Sequence, residues 1–116
     1  MSTGEIQDYQ FGKMTVNGEL HTKDLILLPD RIEGNWWRKE GHSLHVDDLT
    51  AVFQAQPDVL VVGIGAYGKM RIPEETRKAL VAANIEIEAA KTDEACKRFN
   101  TLRENIKTAG AFHLTC

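Results

Sequence analysis

Apolar and polar positions change period several times along this chain, and each change predicts an element. Tyr9 to Val16 read as a strand, and Asn17-Gly18 beyond it is a strong hairpin signal, because both central residues of such a turn require positive φ. Leu20 to Leu28 is then expected to return antiparallel. Pro29-Asp30 breaks the chain, and Arg31-Ile32-Glu33 leads through Gly34 into Asn35 to His42, a turn or short strand followed by a polar loop. The first half is thus expected to be β-rich. Ser43 to Asp47 offers several helix N-caps, and Leu49, Val52 and Phe53 recur at helical spacing until Pro57 forces a stop.

Pro57 to Gly68 is the stretch around which the rest is organised. Val59 to Val62 is an unbroken β-branched and aliphatic run, bounded by Pro-Asp before and by Gly63, Gly65 and Gly68 after, as suits a central strand covered on both faces. Met70-Arg71-Ile72 is short and extended, and Pro73 is suited to open a helix with Glu74 and Glu75 in its first turn and Ala79, Leu80 and Ala83 as its buried stripe. Asn84 is placed to end that helix in a left-handed conformation. Ile85, Ile87 and Ala89 alternate with Glu86 and Glu88, which predicts an edge strand with one wet face. Thr92 is placed to cap a third helix with the stripe Ala95, Phe99, Leu102 and Ile106, Gly110 is expected to end it, and Ala111 to Cys116 reads as a last strand added to the sheet.

Composition narrows the class. The 116 residues suit one domain over positions 1–116, and 42% apolar with 27% charged residues is ordinary for a globular chain. With a net charge of −3 and basic residues interleaved with acids, no phosphate-tracking surface is expected and nucleic acid is not an expected partner. The longest strictly apolar runs fall far short of the roughly 20 residues that a spanning helix needs, so no membrane span is expected. Met1 to Phe11 shows neither a basic presequence nor an apolar signal core, which leaves a cytoplasmic location as the default expectation. Cys96 and Cys116 make no metal spacing and no disulfide framework, and reduced thiols are expected.

Candidate chemistry is sparse. Gly63, Gly65 and Gly68 spell a formal GxGxxG, but a dinucleotide site needs a helix to begin inside the motif, and Lys69 to Ile72 intervene before Pro73. A tight loop needing positive φ is the favoured reading, and a small anion held by loop amides, with Lys69 or Arg71 as counter-charge, is its rival. Trp36-Trp37-Arg38 is the most unusual local composition: one indole is expected to face the core and the other the surface, with an Arg stacked on a ring, as core packing or as a partner anchor. His42, His45, His113 and Cys116 form His-x-x-His and His-x-x-Cys pairs that match no dedicated zinc spacing. On a strand His113 and Cys116 would face opposite ways, which opposes a cysteine nucleophile. Ser43 lacks a nucleophile elbow. No catalytic set, metal or cofactor is expected.

Three segments together carry a resemblance: Trp37-Arg38 with Glu40 and His42; Asp58 to Gly65; and the closing Gly110-Ala111-Phe112-His113-Leu114-Thr115-Cys116. Over nearly the whole chain it resembles the small α/β domain family that includes the adipogenesis-associated domain protein and a mitochondrial complex I assembly factor, and the terminal motif looks closer to the adipogenesis-associated branch. The resemblance implies a three-layer fold, with a central mixed sheet, about three helices and an extra β layer from the N-terminal hairpin. It implies no catalytic residue and an assembly or regulatory role. The expected function is a non-catalytic module that binds a protein partner through Trp36, Trp37, Arg38, His42 and the neighbouring Gly63, Gly65, Tyr67 and Lys69. The alternative is a small-molecule or anion-binding protein, or an unrecognised enzyme, with its site at the glycine loop.

Overall fold

The N-terminal alternation builds a small antiparallel sheet. In the computed structural model, which describes residues 4–116, strands β1 (Ile6–Gln10), β2 (Lys13–Val16) and β3 (Glu19–His21) pair in that order. Asn17 and Gly18 both have positive φ, 55° and 84°, as a tight β2–β3 hairpin demands. The expected strand from Tyr9 to Val16 is broken at Phe11-Gly12, where Gly12 has φ 82° and opens a second turn. The extra β layer therefore has three strands.

The expected return strand from Leu20 to Leu28 also divides. Its first part stays in the small sheet as β3, and its second, β4 (Leu25–Leu27), crosses at Thr22-Lys23-Asp24 into the main sheet. There follow β5 (Ile32–Glu33), a 3₁₀ turn at Val46–Leu49, α1 (Thr50–Ala55), β6 (Val59–Ile64), α2 (Glu74–Ala82), β7 (Glu86–Ala90), α3 (Thr92–Leu102) and β8 (Thr108–His113). The main sheet runs β5-β4-β8-β6-β7; β6 is parallel to β7 and β8, whereas β4 is antiparallel to β8 and β5. Its middle position belongs to β8, with β6 beside it. Connections β6-α2-β7 and β7-α3-β8 travel in opposite directions across the sheet, so crossovers of one hand put α2 and α3 on opposite faces.

Those faces explain the apolar run. Val59 and Val61 join Leu25, Leu27 and Phe112 against Ala95, Phe99 and Leu102 of α3 and Ile6, Met14 and Val16 of the small sheet. Leu60 and Val62 point the other way, with Ile26, Ala109 and Ala111, against Leu49, Val52, Met70 and Leu80. Because strand side chains alternate, β6 needs apolar residues at every position. Its edge neighbour β7 has Glu88, whose carboxylate accepts from Arg98 at 2.6 Å.

Helix ends follow local chemistry with three corrections. Gln56, φ 51°, ends α1 ahead of Pro57, and Asn84, φ 61°, follows α2. Pro73 sits one position before α2 in extended backbone. Thr92 is the first residue of α3 rather than its cap, and its hydroxyl accepts from the Gly65 amide at 2.9 Å while donating to the His113 carbonyl at 2.7 Å. Gly110 does not end α3, which stops at Leu102; it lies within β8, beneath the rings of Phe112 and Phe99. Both cysteines are unpaired. Burial, aided by the charge of Asp93, pushes the Cys96 thiol up to about 12, so it packs as an inert thiol.

Candidate functional site

The parallel strands β6, β7 and β8 end at one edge of the molecule, and there the crossing loop before β4, the Trp36–His42 segment, the glycine loop and the C-terminal residues converge. At the centre is a buried ionic cluster. Arg38 Nη1 donates to Asp24 Oδ2 at 2.6 Å, His113 Nδ1 lies 2.8 Å from the same oxygen, and the Leu114 amide donates to Asp24 Oδ1 at 2.8 Å. The side chains of Arg38 and His113 are only 5% and 7% exposed. Burial alone would raise the Asp24 carboxyl, but donation from His113, Leu114 and Arg38 together with the Arg38 charge outweighs it and holds the group below the ordinary carboxylate range.

This network fixes the imidazole. His113 Nδ1 faces two partners, Asp24 Oδ2 at 2.8 Å, which accepts when ionised, and Arg38 Nη2 at 3.1 Å, which can only donate. His113 Nε2 and Arg38 Nε are buried without a hydrogen-bond partner among the described residues. Arg38 Nη2 donates to the Gly41 carbonyl at 2.9 Å. The Trp36 ring lies 4.9 Å from the guanidinium carbon, where cation and indole attract. His42 is exposed and meets His113 edge-on, with ring centroids 5.8 Å apart.

Residues 36–42 have no regular secondary structure apart from an isolated bridge at Glu40, yet they are tied at several points. The Trp36 amide donates to the Asp24 carbonyl at 2.7 Å, and its indole N–H to the Asp48 carbonyl at 2.9 Å. Asp48 accepts from the Lys39 amide at 3.0 Å and from the His45 amide at 2.8 Å. The Arg71 amide donates to the His42 carbonyl at 2.8 Å, joining this segment to the far arm of the glycine loop. Held in this way, Trp37 projects outward, 82% exposed. The two indoles therefore divide as the composition suggests: Trp36 half-buried and Trp37 in solvent.

The glycines of the loop serve both backbone and packing: Gly65 and Gly68 have the positive φ that a tight loop needs, 103° and 72°. A Cβ on Gly63 would stand 2.9 Å from both the Phe112 ring and the Thr92 hydroxyl, and one on Gly65, φ 103°, would run into the Cys116 carbonyl. The loop amides turn inward as well: Gly65 donates to Thr92, Ala66 to Thr115 at 2.7 Å, Lys69 to Cys116 at 3.1 Å and Met70 to Ile64 at 3.0 Å. The Lys69 side chain is exposed. Tyr67, 65% exposed, packs on Phe11, 52% exposed, with ring centroids 6.0 Å apart.

The structure thus brings Trp36, Arg38 and His42 together around His113, sets Gly63 and Gly65 beneath the C-terminal segment, and places Trp37, Tyr67 and Lys69 on the rim. Thr115 bridges the parts, since it lines a groove of about 510 Å3 with Lys23, Asp24, Trp37 and Arg38 while its carbonyl accepts from Ala66. Asp24 and Phe11 carry no signal in the sequence, and His113, at the centre of the cluster, lies outside the expected binding residues. Among the described residues no group of three or more His, Cys, Asp or Glu side chains is placed to hold a metal ion. The next helix along the chain after the glycine loop begins only at Glu74, so no helix opens inside the motif as dinucleotide binding requires.

Fold and site together define a small three-layer α/β domain whose strand ends carry a buried ionic cluster under exposed aromatics. A family model described as "Protein of unknown function (DUF498/DUF598)" matches residues 6–113, and the chain belongs to that family, as the three motif segments imply. Among solved structures it is similar to the conserved hypothetical protein PH1505 from Pyrococcus horikoshii OT3, with 26% identity, a TM-score of 0.82 and coverage of 97% of this chain and 99% of that one. It is similar also to the Rpa2829 protein from Rhodopseudomonas palustris, with 29% identity, a TM-score of 0.77 and coverage of 95% and 82%. A Mth938-like domain from Bordetella pertussis shares the fold at 20% identity and a TM-score of 0.70, over 96% of this chain and 85% of that one. Among the described residues no helix is long and apolar enough to cross a membrane.

Proposed function

We propose that this conserved domain is a non-catalytic protein-binding module of the assembly or regulatory kind, and that its partner docks on the strand-end edge that carries Trp37. The observation that carries this reading is a solvent-exposed indole on a segment that hydrogen bonds hold still. An ordered, solvent-facing tryptophan costs little further conformational entropy on docking and supplies large contact area, which is the profile of an interface anchor. Tyr67 and Phe11 extend the apolar surface on the other side of Thr115. Arg38, Trp36 and His42 support the anchor from below.

The rival reading, a small anion at Gly63, Gly65 and Lys69 with Arg38 or His42 orienting it, has in its favour a Lys69 side chain that makes no ion pair among the described residues. It is weakened because most loop amides already bond within the chain and the Arg38 guanidinium is engaged by Asp24 and Gly41. Affinity purification from native lysate separates the two. Wild type and Trp37→Ala, matched for thermal unfolding, are compared, and both eluates are analysed for proteins and small molecules. A protein recovered with wild type and reduced at least tenfold with the variant supports the module. A metabolite or anion retained by both, without a protein partner, overturns it in favour of the rival.

A further inference from the structure

The strand-end edge combines exposed aromatics with free positive charge on a chain that is negative overall. Lys23, Lys69 and Lys91 are exposed and make no ion pair among the described residues. All three belong to this edge. Lys23 lines the groove with Trp37; Lys69 bonds through its amide to Cys116; and the Lys91 side chain passes within 3.7 Å of where a Cβ on Gly68 would stand. Three of the nearby acids are occupied or face elsewhere. Asp24 is enclosed in the ionic cluster, Glu40 reaches His45 at 3.4 Å, and Asp93 faces a separate flank with Tyr9 and Cys96. At the opposite ends of the strands the acids are mixed with bases: Asp30 pairs with Arg31 at 3.7 Å, and Glu104 shares its groove with Arg103 and Lys107.

We infer that the partner is a protein segment that presents acidic side chains around one or two apolar anchors: the apolar residues seat against Trp37 and the Phe11–Tyr67 pair, and the acids meet Lys23, Lys69 and Lys91. This rests on the protein-binding reading and gives it a partner chemistry. Complementary rim charge steers encounter and selects partners, and its contribution falls with ionic strength. Arg38 is not part of this recognition, since its charge is already neutralised by Asp24.

The test is selection of a displayed random dodecapeptide library on the intact chain, followed by affinity measurement of the selected peptides by fluorescence anisotropy. The proteins compared are wild type, a Lys23→Glu/Lys69→Glu/Lys91→Glu variant and a Trp37→Ser/Tyr67→Ser variant, each shown folded by circular dichroism. These positions are exposed, so the fold is expected to survive. The inference predicts peptides rich in Asp and Glu around an apolar residue, weakened at least tenfold by charge reversal, weakened also by the aromatic variant, and weakened on going from about 50 to about 500 mM salt. Neutral or basic peptides that depend on Trp37 but not on the lysines would overturn the acidic-partner inference and leave the protein-binding reading standing. Peptides indifferent to both variants, or no selection at all, would overturn both. Sedimentation with phosphatidylserine vesicles that is abolished by charge reversal would assign the lysines to an anionic membrane surface and overturn the inference as well.

Discussion

The two ends of the main sheet each carry a groove of similar size, and only one of them is telling. At the ends where β6 and β8 begin, Pro29, Asp30, Arg103, Glu104, Asn105, Ile106, Lys107 and Thr108 enclose about 560 Å3. At the ends where they finish, the groove of about 510 Å3 sits beside a buried ionic cluster, a tied-down exposed indole and lysines, Lys23 among them, that make no ion pair among the described residues. The first is what remains when a helix–strand turn meets a hairpin turn. The second contains arrangements that folding alone does not favour: charges removed from water, which cost free energy even when paired, and large aromatics left in solvent. Local cost, not volume, marks the site.

The largest effect expected from breaking this contrast comes from the cluster. Arg38→Met leaves Asp24 buried without its guanidinium, and loss of one partner of a buried pair costs about 3 kcal/mol. Urea unfolding checks this, and an unchanged midpoint would show that the cluster contributes no stability. Acid titration gives a smaller, graded effect. The folded Asp24 carboxyl lies below its ordinary value, which is roughly 3.9, so the unfolded chain binds the proton first and the group's contribution is complete above that value. It is lost as the pH falls through it toward the folded value. Urea midpoints measured from neutral pH downward are expected to drop for the wild type below about pH 4 and to drop less for Asp24→Asn; equal slopes would remove Asp24 from the acid response.

How much of this was legible before folding follows from sequence distance. The β6 run, the Asn17-Gly18 turn, the Asn84 stop and three of the four stripe residues, Ala95, Phe99 and Leu102, are written in patterns a few residues long and reappear in the structure, whereas Ile106 lies beyond the end of α3 and is 37% exposed. That one of the two adjacent indoles turns inward and the other outward follows from adjacency; that Trp36 is the inward one does not. The cluster is different: Asp24 is 14 residues from Arg38 and 89 from His113, and nothing local to Asp24 distinguishes it from a solvated acid at a strand start. Gly110 misled for a related reason. Read locally it ends a helix, whereas its cause is the Phe112 and Phe99 rings packed over it. The tight loop expected of the glycines is present, with positive φ at Gly65 and Gly68, 103° and 72°, but the close contacts at Gly63 and Gly65 come from Thr92, Phe112 and Cys116, far along the chain.

The smallest expected effects are the most informative. Ile106→Ser at the opposite groove is expected to change neither stability nor partner capture by more than experimental scatter, because a half-exposed turn residue contributes little. The measurement that tests the division of labour most directly is the urea unfolding free energy of Trp37→Ser/Tyr67→Ser set beside that of Arg38→Met. A change of at most about 0.5 kcal/mol is expected for the aromatic pair, typical of surface positions, against the large loss at Arg38. If the aromatic variant loses as much as Arg38→Met, the rings belong to the fold and not to a partner, and the account of this edge as a binding surface is contradicted.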